Sequence, residues 1–82
     1  MMNLEKRVIK TVEQNLEKKH EVSLESRLFE DLEVDSFNKI MIITGLEDEF
    51  SITIDEEDMG QINKVSDIVE HLRLKHPEIE GR

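Results

Sequence analysis

Eighty-two residues make one domain, near the lower limit at which a chain folds without staples. With no cysteine there is no disulfide framework, zinc–thiolate site or cysteine nucleophile. Residues 21–60 hold thirteen acidic side chains against two basic, within a net charge of −9, and so acidic a middle repels nucleic acid and anionic membrane while favouring partners with basic surfaces.

Leu4, Val8, Val12 and Leu16 recur every four residues, with Ile9 widening the stripe and Lys6, Lys10, Glu13 and Glu17 off it. This predicts an amphipathic helix over about residues 3–18, closed by Lys18, Lys19 and His20. Residues 21–35 form a long connection anchored by Val22, Leu24, Leu28, Phe29 and Leu32, with a short helical turn expected within Ser26–Leu32. Asp35 is placed to cap a second helix over about residues 36–50. Phe37, Ile40, Met41, Ile43, Leu46 and Phe50 exceed one narrow stripe, so this helix is predicted to be apolar around much of its circumference. Gly45 in its middle costs about 1 kcal/mol relative to alanine and therefore points to a close approach.

Ser51–Ile54 alternate polar and apolar, and read as an extended connector burying Ile52 and Ile54. A short helical segment, EEDMG, follows. Ser66 or Asp67 is expected to open a last helix carrying Val65, Ile68, Val69 and Leu72, with Pro77 beyond its end and the tail EIEGR frayed. Three longer helices and one short one predict an all-α four-helix bundle, a single domain over 1–82 with an ordered core over about 3–75. Val8, Val12, Leu46, Ile62 and Ile68 are expected to converge on an aliphatic core. No signal peptide is evident, and no apolar stretch nears the ~20 residues that cross a bilayer. The expectation is a soluble, cytoplasmic monomer with no stable membrane insertion.

The inventory speaks against an enzyme. His20, His71 and His76 do not fall in HExxH or any paired metal spacing, and His71 reads as a solvated or boundary residue. The three glycines form neither GxGxxG nor a P-loop. A Ser-His-acid triad needs a cleft that a bundle this small can hardly enclose. A calcium loop begun at Asp55 would put Met59 at its fifth position and Ser66 at its twelfth, losing the bidentate glutamate. No metal site is expected.

The stretch DLEVDSF at 31–37 is the informative one. Asp and Ser before an apolar helical run are ordinary helix starters. A serine hydroxyl in a first helical turn is also exposed at a loop junction, where a phosphodiester would meet free amides and the positive end of the helix dipole. DLEVDSF and the following IMIITGLEDEFSITIDEEDMGQINKVSDIVEHL resemble the second half of bacterial acyl carrier proteins of the dissociated, type II synthase kind. The resemblance runs without gaps there and extends in pattern over about residues 3–75.

The resemblance implies a four-helix carrier, not an enzyme, whose Ser36 bears 4′-phosphopantetheine donated by a phosphopantetheinyl transferase. Asp35 would cap the helix and be recognised by that transferase. It further implies carriage of acyl thioesters in fatty-acid or related lipid or polyketide biosynthesis, and docking on basic enzyme surfaces through Asp35, Phe37, Met41, Glu47 and Asp48. A carrier dedicated to amino-acid loading, or an unmodified scaffold of the same fold, are the other readings. The retained Asp35–Ser36 pair weighs against a scaffold. The chain departs from the family pattern at Glu33 and Val34, where a glycine and a small residue are usual, and at Phe37, Lys39, Met41 and Asp55. Core filling beside Ile40 and Ile43 is the simpler expectation for Met41, and an exposed contact for partners the other.

Overall fold

The computed structural model describes residues 3–81. Its helices are α1 (Leu4–Asn15), α2 (Ser36–Phe50), α3 (Glu56–Met59) and α4 (Val65–Lys75), closed by a 3-10 helix at Pro77–Gly81. Asn3 begins α1, its Oδ1 accepting from the amide of Lys6 at 2.9 Å. The periodic stripe of α1 packs on α2 and α4. Val8, Val12, Leu46, Ile62 and Ile68 are all buried, joined by Ile42, Ile43, Phe50 and Leu72. The expected core residues therefore do converge.

Two polar details fix how α1 meets α2. A Cβ on Gly45 would lie 2.5 Å from Asn15 Nδ2, an amide already committed to the carbonyl of Thr11 at 2.8 Å. The glycine is what leaves room for the Asn15 side chain against α2. Meanwhile the buried Asn38 of α2 donates from Nδ2 to the carbonyl of Asn15 at 2.7 Å and accepts from the amide of Glu17 at 3.3 Å. These bonds intercept α1, which ends at Asn15 with Leu16 extended rather than continuing to residue 18.

The long connection is not a free loop. Leu28 donates its amide to Asn63 at 2.9 Å, while Val65 and Ser66 donate theirs to Ser26 and Leu24 at 3.0 Å. These bonds surround the lone antiparallel bridge Arg27–Lys64. Val22, Leu28, Leu32 and Val34 are buried beneath it. The expected helical turn reduces to hydrogen-bonded turns, in which the amides of Asp31 and Leu32 donate to the carbonyl of Arg27 at 2.9 and 3.1 Å. Phe29, expected as an anchor, is exposed.

The last helix starts at Val65, a residue before the expected openers. Asp67 works from inside it, with Oδ2 accepting from the amides of Asn63 and Lys64, each at 2.9 Å. Beyond it the structure corrects the expected frayed tail. Ile79 is buried at 3% exposure, and Arg73 joins Glu5 at 3.1 Å to Glu80 at 3.2 Å. An apolar anchor two residues past Pro77 is enough to hold the 3-10 turn against the core. Arg82 lies outside the described residues. No described helix is long and apolar enough to cross a membrane.

Candidate functional site

The start of α2 is built by local chemistry. Glu33 sits in the left-handed region at φ 56°, a conformation costing about 1–2 kcal/mol for a residue with a Cβ. This accounts for the glycine usual there in the family the chain resembles. Here the Glu33 carboxylate is held by Lys18 at 3.1 Å and His20 at 2.9 Å, and the hydrogen bond from Lys18, foremost, holds its carboxyl below the usual range. The turn swings Val34 into the core, and Val34 donates its amide to the carbonyl of Leu28 at 2.9 Å. Asp35 follows in extended conformation. Its Oδ1 accepts from the amide of Asn38 at 2.7 Å, which makes it the cap of α2.

Ser36 is the first residue of α2 and is exposed. Its hydroxyl has no hydrogen-bond partner among the described residues. Beside it opens a cavity of about 500 Å³, walled by Phe29 from the connection, by Ser36, Lys39 and Ile40 from α2, and by Glu56, Met59 and Gly60 from the α3 segment.

Lys39 is the residue that sequence reading missed. It is only 9% exposed, with Nζ 5.5 Å from the centroid of the Phe29 ring. Burial pushes its ammonium pKa below the usual lysine range. The signals available were its departure from the family pattern and its spacing, three residues after Ser36 and hence on the same helical face.

The other anticipated site residues separate into two groups. Phe37 and Met41 project outward, at 66% and 39% exposure, so core filling is the wrong reading of Met41. The core side of α2 is already occupied by Ile42, Ile43 and Leu46. Asp35 and Asp48 are exposed, whereas Glu47 is half-buried. Glu47 Oε2 accepts from the amide of Ile54 at 2.8 Å, tying down the connector after Ser51, which turns in the left-handed region at φ 56°.

The chain matches, over residues 6–72, the family model described as the phosphopantetheine attachment site. It is 39% identical over 72 residues to an acyl carrier protein of Rickettsia bellii, covering 87% of this chain and 84% of the relative. To an acyl carrier protein of Helicobacter hepaticus it is 40% identical over 53 residues, covering 65% of this chain and 70% of that one. The chain belongs to the acyl carrier protein family. A solved structure from Mycobacterium tuberculosis, described as a candidate acyl carrier protein, agrees in fold with a TM-score of 0.77 at 30% identity, over 85% of this chain and 95% of that chain.

For an acyl carrier protein the family's prosthetic group is phosphopantetheine, and the residues present fit it. A partnerless serine hydroxyl offers the ester oxygen. The helix start offers amides and a favourable dipole to a phosphodiester, and the adjoining cavity offers apolar walls to a tether. As a carrier, not an enzyme, the protein needs no catalytic group of its own.

Proposed function

We propose that Ser36 is esterified with 4′-phosphopantetheine and that the protein presents acyl groups on this arm to enzymes docking along the exposed side of α2. The observation that supports this most is the Ser36 hydroxyl, exposed and without a partner on the first turn of α2, beside a cavity with apolar walls. When bound, the group supplies the thiol that this cysteine-free chain lacks. Asp35 takes the Asn38 amide with its side chain and the Lys39 amide with its carbonyl, which orders the turn that carries the serine. Phe29, Ile40 and Met59 give the site apolar walls along one side.

The partners implied are a phosphopantetheinyl transferase and acyl-transferring or synthase enzymes with basic docking surfaces, met in the cytoplasm by a monomeric carrier. Asp35 and Asp48 would steer association, an effect that weakens with salt. Phe37 and Met41 supply an adaptable apolar contact. Glu47, bound to the Ile54 amide, contributes to the same face with one carboxylate oxygen engaged. Fatty-acid, related lipid and polyketide biosynthesis are the pathways such a carrier serves.

Intact-protein mass spectrometry after incubation with coenzyme A and a promiscuous phosphopantetheinyl transferase tests the assignment. One phosphopantetheine increment is expected, abolished in Ser36→Ala. No increment, or one that survives in Ser36→Ala, overturns the carrier reading or the site respectively.

A further inference from the structure

Lys39 carries a charge that no ion pair among the described residues uses. A lysine that merely covers apolar surface lays its methylenes down and keeps its ammonium in water. Lys39 has only 9% of its surface exposed, and what stays open is at the cavity, where its ammonium is not sealed from solvent. A partly desolvated ammonium gains from an anion beside it, because part of its hydration has already been given up. Among the described residues no carboxylate lies within ion-pair distance of Lys39, and the Phe29 ring is its one polar-type contact. Glu56, the acid that shares its cavity, stands exposed on the α3 side without bonding to it. The backbone amide of Lys39 already donates to the carbonyl of Asp35 at 2.9 Å, so only the side chain is available.

The cavity that holds this lysine is the one Ser36 lines. The two residues are three apart on α2, so their Cβ atoms are neighbours at about 5–6 Å. A substituent leaving the Ser36 oxygen toward the cavity passes within reach of a side chain of lysine's length. We infer that Lys39 is an anion-binding residue of this cavity, receiving an oxyanion borne by the group attached at Ser36. Two parts of that group carry such chemistry: the phosphodiester at its root, and a carboxylate at the far end of a dicarboxylic cargo. The inference rests on Ser36 being the attachment residue. It adds that this cavity is matched to an anion, where apolar walls alone would favour plain alkyl cargo.

The test compares four forms of the full chain made by transferase loading: apo, holo with a free thiol, butyryl-loaded and succinyl-loaded. Lysine-selective ¹³C/¹⁵N NMR follows the titration of the Lys39 ammonium, its resonance assigned by its absence in Lys39→Arg. In the apo form the midpoint lies below that of the exposed lysines. A rise common to holo, butyryl and succinyl forms identifies the phosphodiester as the anion. A rise confined to the succinyl form identifies the cargo carboxylate. The same midpoint in all four forms overturns the inference while leaving Ser36 modification intact. Failure of loading, seen by mass, overturns the attachment reading and this inference with it. Thermal melts supply a second readout. Loading raises Tm by about 4 °C or more in the wild type and in Lys39→Arg but not in Lys39→Met. An equal rise in Lys39→Met counts against the lysine.

Discussion

The two ends of α2 are built from similar residues and treated in opposite ways. At the C-terminal end most of the contacts bind the helix to the rest of the fold: Gly45 admits Asn15, Glu47 holds the Ile54 amide and Glu49 pairs with Arg7 at 3.0 Å, while Asp48 stays in solvent. Arg7 in turn lies over the buried Phe50 ring, 4.5 Å from its centroid. At the N-terminal end Asp35 and Asn38 complete the framework, and what lies around them is uncommitted. The Ser36 hydroxyl lacks a partner, Lys39 lacks a counter-ion, and Phe37, Ile40 and Met41 face solvent. One helix thus anchors the fold at one end and leaves the other free for chemistry.

The largest expected effect tests the anchored end. Leu46→Ala, at a fully buried position, is expected to cost about 2–5 kcal/mol, lowering Tm by more than about 10 °C. Ser36→Ala should change stability by no more than about 0.5 kcal/mol, since an exposed hydroxyl without partners contributes little. Comparable losses from the two, measured by denaturant melts of the apo protein, would erase the distinction.

Asn38→Ala sharpens the comparison at the boundary between the two ends. It strips partners from the carbonyl of Asn15 and the amide of Glu17, and about 1–3 kcal/mol should be lost. Asp35→Ala should cost about 1 kcal/mol through the lost cap. Amide hydrogen exchange distinguishes them. Asn38→Ala should open residues 15–17, and Asp35→Ala only the first turn of α2.

Met41→Glu is expected to leave stability within about 0.5 kcal/mol, as an exposed surface substitution does. It should alter transfer rates with partner enzymes instead. A loss of several kcal/mol, as for a charge forced into a core, would move Met41 back to the anchored side.

The smallest effect concerns His71 on α4, whose Nε2 is buried without a hydrogen bond. Burial, its main cause, lowers the His71 pKa from 6.5. The unfolded chain therefore binds a proton more readily, so the neutral ring's contribution is full above pH 6.5 and declines as pH falls through that value toward the lowered one. A modest fall in Tm between about pH 7.5 and 5.5 is expected, and His71→Leu should flatten it. Carboxylate effects enter lower, because Glu5, Asp31 and Glu33 all have lowered values in the fold. His71 also clarifies Lys39: an imidazole without a partner can shed its charge near neutral pH, whereas an ammonium does so far less readily.

Local chemistry determined much of this protein from sequence alone. The bounds of α2 follow from the Asp35 cap and from apolar density, the close approach at Gly45 from a glycine inside a helix, and the core from a four-residue stripe in α1. The resemblance around Asp35 and Ser36 was legible for the same reason, because a motif in a first helical turn depends on neighbours in the chain. Tertiary structure decided the rest. Periodicity shows that α2 is apolar nearly all round, but only the seating of α1 and α4 against it selects Ile42, Ile43 and Leu46 for the core and leaves Phe37, Ile40 and Met41 outside. Where α1 stops depends on Asn38, 23 residues away from Asn15. The buried turn at Ile79 depends on Arg73 and Glu5 across the bundle. Lys39 is only a departure from the family pattern in the sequence, and the fold alone shows that most of its surface is covered and that Phe29, on a separate segment, lies beside its ammonium. Burial and pairing are properties of what folds back onto a residue, and no window along the chain contains them.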